Sequence, residues 1–109
     1  MADCTEMLER LIPGLVEIFG GQTIRIILYG SVARGTQTEE SDVDIAVILK
    51  SYTSEMQDRM WDLIVDLELE YDRVVSVLLI DADRFAEWED VLPFYRNVKE
   101  EGIVLWPAA

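Results

Sequence analysis

The sequence predicts an α+β domain in which helices pack on a small mixed β-sheet. Apolar residues recur at helical spacing in two long segments, and three short segments are apolar almost throughout, as in buried strands. Along the chain, the segments run helix, strand, strand, helix, strand, helix. Half of the 109 residues are hydrophobic, which is enough for a core, and we expect residues 1–109 to form one domain.

The composition excludes several classes of function. A net charge of −13 disfavours general nucleic-acid binding, because a phosphate backbone is repelled. The chain has no histidine, which excludes His-based zinc sites and Ser–His or Cys–His catalysis, and its single cysteine, Cys4, fits a reducing compartment. No apolar run reaches the roughly 18 residues of a membrane span, and acids stand where a signal peptide needs bases. We therefore expect a cytoplasmic protein without a membrane partner, whose chemistry rests on carboxylates, hydroxyls, arginines and a hard cation.

The first helix is predicted over residues 3–19, where one apolar stripe follows helical spacing. The stripe consists of Met7, Leu8, Leu11, Ile12, Leu15, Ile18 and Phe19. Pro13 removes one backbone donor and should kink this helix or split it near Ile12. Gly20 and Gly21 should end it.

Two strands follow, Thr23–Tyr29 and Val43–Leu49. Apart from Arg25 and the acids where the second strand begins, both segments are apolar. We therefore expect both faces of these strands to be covered. The polar residues 30–41 form the loop between them.

A second long helix is predicted to begin at Ser54 and Gln57, which have the spacing of a capping box, and to end near Glu70. Its apolar stripe contains Met56, Met60, Leu63, Leu67 and Tyr71. Trp61, Ile64 and Val65 should widen that stripe.

The last third of the chain predicts a strand over residues 74–80 and a short helix over 84–89, capped by a turn at 81–83. Pro93 opens a further helix, which Gly102 stops. Residues 103–106 leave two alternatives open. They form either a short strand that closes the edge of the sheet, or an apolar tail that docks on a second copy or on another protein.

Gly30 and Ser31 follow the first strand in a turn that suits phosphate. Glycine has no Cβ, so the backbone can approach anionic oxygens closely, and Ser31 offers a hydroxyl and an N–H. A helical turn from Val32 would direct further N–H groups at the phosphates, and Arg34 would add a charge-assisted contact. The alternative is a plain turn, since Gly-Ser after a strand is common.

Asp42 and Asp44 are two residues apart on an extended segment, so their side chains should point to the same side. Two neighbouring carboxylates repel, and a divalent cation removes this penalty. Mg²⁺ bound by carboxylates and substrate phosphates is the usual arrangement. Asp81 and Asp83 repeat the pattern, but we interpret them as a turn and a helix cap, whereas the first pair follows a Gly-Ser turn and opens a buried strand.

Gly30-Ser31, followed ten residues later by Asp42-Val43-Asp44, resembles the signature of the DNA polymerase beta nucleotidyltransferase superfamily. The small size resembles its minimal nucleotidyltransferases (MNT), antitoxins often paired with HEPN-domain toxins. Residues 91–102 resemble the carboxyl-terminal segment of one group of MNT-type antitoxins. The resemblance implies a polymerase-beta-like fold, in which Gly30 and Ser31 hold the triphosphate and Asp42 and Asp44 hold Mg²⁺.

The resemblance also implies a third carboxylate on a later strand, and the matching strand has none. Ser76 stands at that position, and a serine cannot ionise to bind Mg²⁺ or take a proton at neutral pH. Asp81 falls on the opposite face of the strand, and Asp72 falls on the face of Ser76 only if the chain is extended there. Two functions therefore stay open, and nucleotide sensing is a third that lies between them. The first is transfer of a nucleotidyl group, AMP from ATP·Mg²⁺, to a hydroxyl of a protein partner such as a HEPN toxin. The second is a catalytically weak or inactive nucleotide-binding antitoxin that acts by direct contact.

Overall fold

The computed structural model describes residues 5–30 and 42–107. Within them, four strands form one mixed sheet and four α-helices pack on it, which confirms the predicted α+β class. In chain order the elements are α1 (Thr5–Phe19), β1 (Thr23–Tyr29), β2 (Val43–Leu49), α2 (Ser54–Tyr71), β3 (Val75–Asp81), α3 (Ala82–Trp88), α4 (Pro93–Glu101) and β4 (Ile103–Trp106). A short 3₁₀ turn, Gly20–Gln22, joins α1 to β1. None of the described helices is long and apolar enough to span a membrane.

The strand order across the sheet is β3-β2-β1-β4. β1 is antiparallel to both β2 and β4, whereas β2 and β3 are parallel. In this register, Asp44 lies opposite Tyr29 on one side and opposite Ser76 on the other. The end of β1, the start of β2 and the start of β3 therefore meet in one row.

The two central strands separate two cores. Alternate residues of a strand point to opposite faces, so each strand contributes to both. The larger core lies under α1 and α2 and takes Ile26 and Leu28 from β1, whereas the smaller lies under α3 and α4 and takes Ile27. This confirms that β1 and β2 are covered on both faces.

Helix α1 is continuous from Thr5 to Phe19, so the alternative of a split near Ile12 is wrong, whereas a kink there stays a prediction. Pro13 is exposed, and Leu11 and Leu15 on either side of it are fully buried. Burial of apolar side chains along the inner face of α1 offsets the cost of an internal proline, which is roughly 3 kcal/mol. A Cβ on Gly14 would lie 2.6 Å from Cδ2 of Leu63, which shows how closely α1 approaches α2.

Helix α2 is capped by Thr53 and not by the predicted box of Ser54 and Gln57, which is therefore wrong. Thr53 is extended, and its Oγ1 accepts a hydrogen bond from the N–H of Met56 at 3.2 Å. Because Thr53 already satisfies this free donor, Ser54 can lie inside the helix. The helix ends at Tyr71, one residue after the predicted end.

The predicted stripe of α2 is also too wide. Ile64 is buried as expected, but Trp61 and Val65 are 47% and 48% exposed. Each lies one position past a buried residue, Met60 or Ile64, and one residue turns the helix by about 100°. Their side chains therefore leave the core and face solvent.

The carboxyl-terminal elements largely follow the prediction. Asp81 caps α3 by accepting a hydrogen bond from the N–H of Arg84 at 3.1 Å, Pro93 opens α4 and Gly102 follows its end. β4 pairs with β1, so the alternative of a short edge strand is confirmed. Whether another molecule also covers this strand stays a prediction.

Candidate functional site

The first strand ends directly against a carboxylate. Tyr29 pairs with Asp44, and the next residue, Gly30, has φ of +78°, in the left-handed region that favours glycine. A Cβ at Gly30 would overlap Oδ2 of Asp44 and lie 3.2 Å from its Cγ. Only glycine therefore lets the backbone come this close to the carboxylate while turning away from the sheet.

Asp44 is half-buried and Asp42, one residue before β2, is exposed. Strand alternation puts Asp44 on the same face as Ala46 and Ile48, which belong to the smaller core. The candidate site therefore lies on the α3 and α4 side of the sheet, at its edge. Solvent reaches it, as a substrate would have to.

Three predicted features lie outside the described residues. These are Ser31, Arg34 and the helical turn expected from Val32. Their proposed contacts with phosphate stay predictions. The described part of the site consists of Gly30, Asp42, Asp44 and their neighbours.

Ser76 lies beside Asp44. The two residues are partners in the parallel pairing of β2 with β3, and neighbouring strands are about 4.8 Å apart. Ser76 is exposed and occupies the position at which the resemblance implies a third carboxylate. The register thus agrees with the inferred position, and the side chain there remains a neutral hydroxyl.

Neither of the two nearby acids replaces the missing carboxylate. Asp81 is five positions from Ser76, so strand alternation points it to the opposite face, and its carboxylate caps α3. Asp72 has φ 52° and ψ 48°, so the chain is left-handed and not extended there, and the condition that would bring it to Ser76 fails. Among the described residues, no group of three or more acids and cysteines is arranged to hold a metal ion.

Tyr29 is braced beside the site by an aromatic contact. Its ring meets that of Phe94 in α4 edge-to-face, with 5.5 Å between centroids. Burial raises the pKa of the Tyr29 phenol, and the negative charge of Asp44 raises it further. Tyr29 therefore stays protonated at neutral pH and acts as a packing residue. The contact with Phe94 has no signal in the sequence, because it depends on how α4 packs on β1.

The described residues fit a hard divalent cation. Asp42 and Asp44 would supply the oxygen ligands that Mg²⁺ prefers, and both are within reach of solvent. Oδ2 of Asp44 occupies the position that a Cβ at Gly30 would need, so this carboxylate oxygen lies directly against the turn. Two carboxylates leave several ligand positions for water and phosphate oxygens, as is usual for Mg²⁺.

A concave surface elsewhere on the described part of the chain does not fit a nucleotide. It is an open groove of about 390 Å³ between α1 and β4, lined by Thr5, Leu8, Glu9, Ile12, Pro13 and Leu105. Its lining is almost entirely apolar, whereas phosphates require donors or positive charge. The groove lies against the larger core and away from the face that carries Asp44.

Comparison with known proteins gives consistent matches. The family model described as nucleotidyltransferase domain matches residues 8–105. A protein of Methanocaldococcus jannaschii, named as a proposed protein adenylyltransferase, is 34% identical over 103 residues, which cover 91% of this chain and 94% of the relative.

Two solved structures share the fold. A toxin–antitoxin structure with AMP-PNP is 26% identical with a TM-score of 0.57, and the match covers 92% of this chain and 73% of that one. A structure described as a minimal nucleotidyltransferase is 24% identical with a TM-score of 0.59, covering 93% and 94%. These matches confirm the resemblance inferred from Gly30-Ser31 and Asp42-Val43-Asp44, and the chain belongs to the nucleotidyltransferase domain family.

Proposed function

We propose that this protein transfers AMP from ATP to a hydroxyl of a protein partner, using Mg²⁺ held by Asp42 and Asp44. The observation that carries the proposal is the close approach of the Gly30 backbone to the Asp44 carboxylate at the end of β1. The backbone turn at Gly30 suits phosphate, and the carboxylate of Asp44 beside it suits Mg²⁺. The relative named as a protein adenylyltransferase supports AMP and a protein acceptor.

In this proposal, each residue has a limited task. Gly30 and Ser31 bind the triphosphate, and Arg34 adds positive charge to it. Asp42 and Asp44 hold Mg²⁺, which when bound orients the phosphates and neutralises the leaving pyrophosphate. The acceptor oxygen forms a bond to the α-phosphorus while the bond to pyrophosphate breaks, and its proton passes to a base. Ser76 cannot be that base, and we assign the role to a group of the partner or to solvent.

The proposed partner is a HEPN-type toxin, with the reaction in the cytoplasm. The toxin–antitoxin structure with AMP-PNP supports a toxin as partner, and the resemblance to MNT antitoxins supplies the HEPN class. An acidic chain with a net charge of −13 is suited to a basic protein surface.

A second function is favoured by one observation, the neutral side chain of Ser76 beside Asp44. Without a third carboxylate the site lacks the group that would deprotonate the acceptor hydroxyl. The protein would then neutralise the toxin by contact alone, with little or no transfer.

The test is transfer of label from α-labelled ATP to a purified HEPN-type toxin in the presence of Mg²⁺. We expect labelled toxin with the wild-type chain and none above background with Asp44→Ala. Glu17→Ala is the matched control, because it removes an exposed acid of α1 on the other side of the sheet and should leave labelling unchanged. If the toxin stays unlabelled, and wild type and Asp44→Ala neutralise it equally, the result would favour an antitoxin that acts by contact over an enzyme.

A further inference from the structure

Helix α2 carries an apolar line on its outer face. Trp61, Val65 and Leu69 are spaced four residues apart and are 47%, 48% and 79% exposed. Residues four apart lie above one another on a helix, so the three side chains form a continuous line about 12 Å long. We call these three residues the α2 outer stripe.

A row of acids runs beside the stripe. Asp58, Asp62 and Asp66 have the same spacing and are exposed. They lie about 60° around the helix from the apolar line, so each stripe residue has a carboxylate next to it. Over its whole length α2 carries six acids and a single base, Arg59.

Solvation of an ordinary surface helix explains the acids but not the stripe. Single exposed apolar residues are normal, and the face opposite the core of a surface helix is usually polar. Here the exposed face has an aromatic and two aliphatic residues in line, and the core is already supplied by Met60, Ile64 and Leu67. The stripe therefore lies outside both cores of this domain.

We propose that the α2 outer stripe docks an amphipathic helix of the acceptor protein, with basic residues along the edge of that helix. An apolar line of i, i+4 and i+8 residues fits the apolar stripe of a second helix, and the row of aspartates fits lysines or arginines beside it. A second copy of this chain is a poor occupant, because it would bring its own aspartates against these. The identity of the acceptor, a HEPN-type toxin, rests on the proposed function.

Docking at the stripe leaves the candidate site free. The stripe lies on the α1 and α2 side of the sheet, whereas Asp44 lies on the α3 and α4 side. Binding and transfer are therefore separate in space, and one can be removed without the other.

The test is the affinity of purified HEPN-type toxin for variants of the full chain, measured by titration calorimetry. We expect Leu69→Glu and Trp61→Ala each to weaken binding at least tenfold, and Asp62→Lys with Asp66→Lys to weaken it and to reduce its dependence on salt. Arg59→Gln is the matched control, an exposed change on the same helix away from the stripe, and should change the affinity less than twofold. Circular dichroism checks that each variant is folded.

Each outcome has a definite meaning. Equal affinity of wild type and Leu69→Glu, or no affinity of the wild type, overturns the docking surface. The proposal is also overturned if analytical sedimentation shows that the wild type is a homodimer and that Leu69→Glu dissociates it. Binding that depends on the stripe while no AMP is transferred supports the docking surface and overturns the enzyme. Transfer by Leu69→Glu should recover at saturating toxin, whereas Asp44→Ala should bind normally and transfer nothing.

Discussion

The two faces of the sheet differ in how completely they are covered. On the α1 and α2 side, β2 contributes Val43, Ile45, Val47 and Leu49, and all four are fully buried. On the α3 and α4 side, burial ends before the edge of the sheet, where Asp44 is half-buried and Ser76 is exposed. One face therefore supplies most of the stability and the other presents the polar groups.

Strand β3 shows the same division within seven residues. Val75 is buried in the larger core, whereas Ser76 and Leu78, on the other face, are exposed. Short helices α3 and α4 cover the far end of that face through Phe85 and Val98. The difference teaches that the candidate site lies where the described helices leave the sheet exposed, so its side chains, unlike the backbone turn at Gly30, should be replaceable with little loss of stability.

The largest expected effect is a loss of stability on the covered face. Leu11→Ala should lower the free energy of unfolding by about 2–5 kcal/mol, because Leu11 is fully buried in the larger core. Leu78→Ala on the open face should cost less than about 1 kcal/mol, because Leu78 is 41% exposed. Urea unfolding of both variants measures the difference. Similar losses would contradict the unequal roles of the two faces.

Gly30→Ala should combine a smaller loss of stability with a loss of function. Backbone strain at φ +78° costs about 1–3 kcal/mol, and the added Cβ displaces the Asp44 carboxylate. We expect Mg²⁺-dependent nucleotide binding to disappear in calorimetry. Gly20→Ala is the matched control, because Gly20 also has a positive φ, +55°, but a Cβ there meets no atom within 4 Å. If both variants bind nucleotide alike, the close approach at Gly30 has no role in the site.

The sequence predicted which strand positions lie side by side, whereas the role of these residues as a site stays a prediction. The spacing from Gly30 to Asp44 and the alternation along β3 to Ser76 are local patterns, and the register of the sheet agrees with both. The exposure of Trp61 and Val65 was missed because apolar residues occupy most of the circumference of α2, so periodicity does not show where the core ends.

Two other features had no decisive local signal. Thr53 and Ser54 are adjacent hydroxyl residues, and only the backbone angles decide that Thr53 is the cap of α2. The contact of Phe94 with Tyr29 depends on two segments more than sixty residues apart. Tertiary packing decides such cases, and one sequence does not contain that information in a readable pattern.

Ser76→Asp should increase transfer by about tenfold or more, because a carboxylate beside Asp44 adds a metal ligand and a base. Without Mg²⁺ the new charge repels Asp44, so the melting temperature should fall and should recover when Mg²⁺ is added. Ser76→Asn is the matched control, similar in size but uncharged. An equal gain with Ser76→Asn, or no change with Ser76→Asp, would show that Ser76 is not the position of a missing carboxylate.

The smallest expected effect lies on the covered side, where an exposed ion pair joins α1 to α2. Arg10 donates to Glu70 and to the hydroxyl of Tyr71. The hydrogen bond from Arg10 lowers the pKa of Glu70 below its usual value near 4.5. A lowered folded-state pKa gives stability that is fully present above the unfolded pKa. This contribution should therefore begin to fall below about pH 4.5 and be lost as the pH falls through the folded-state pKa.

Arg10→Gln should remove this contribution, so that the melting temperatures of variant and wild type differ slightly at pH 7 and converge as the pH is lowered. Arg59→Gln on the outer side of α2 should not differ from wild type in this way. A difference that does not shrink as the pH is lowered would assign the effect of Arg10 to packing against Tyr71 and not to its ion pair.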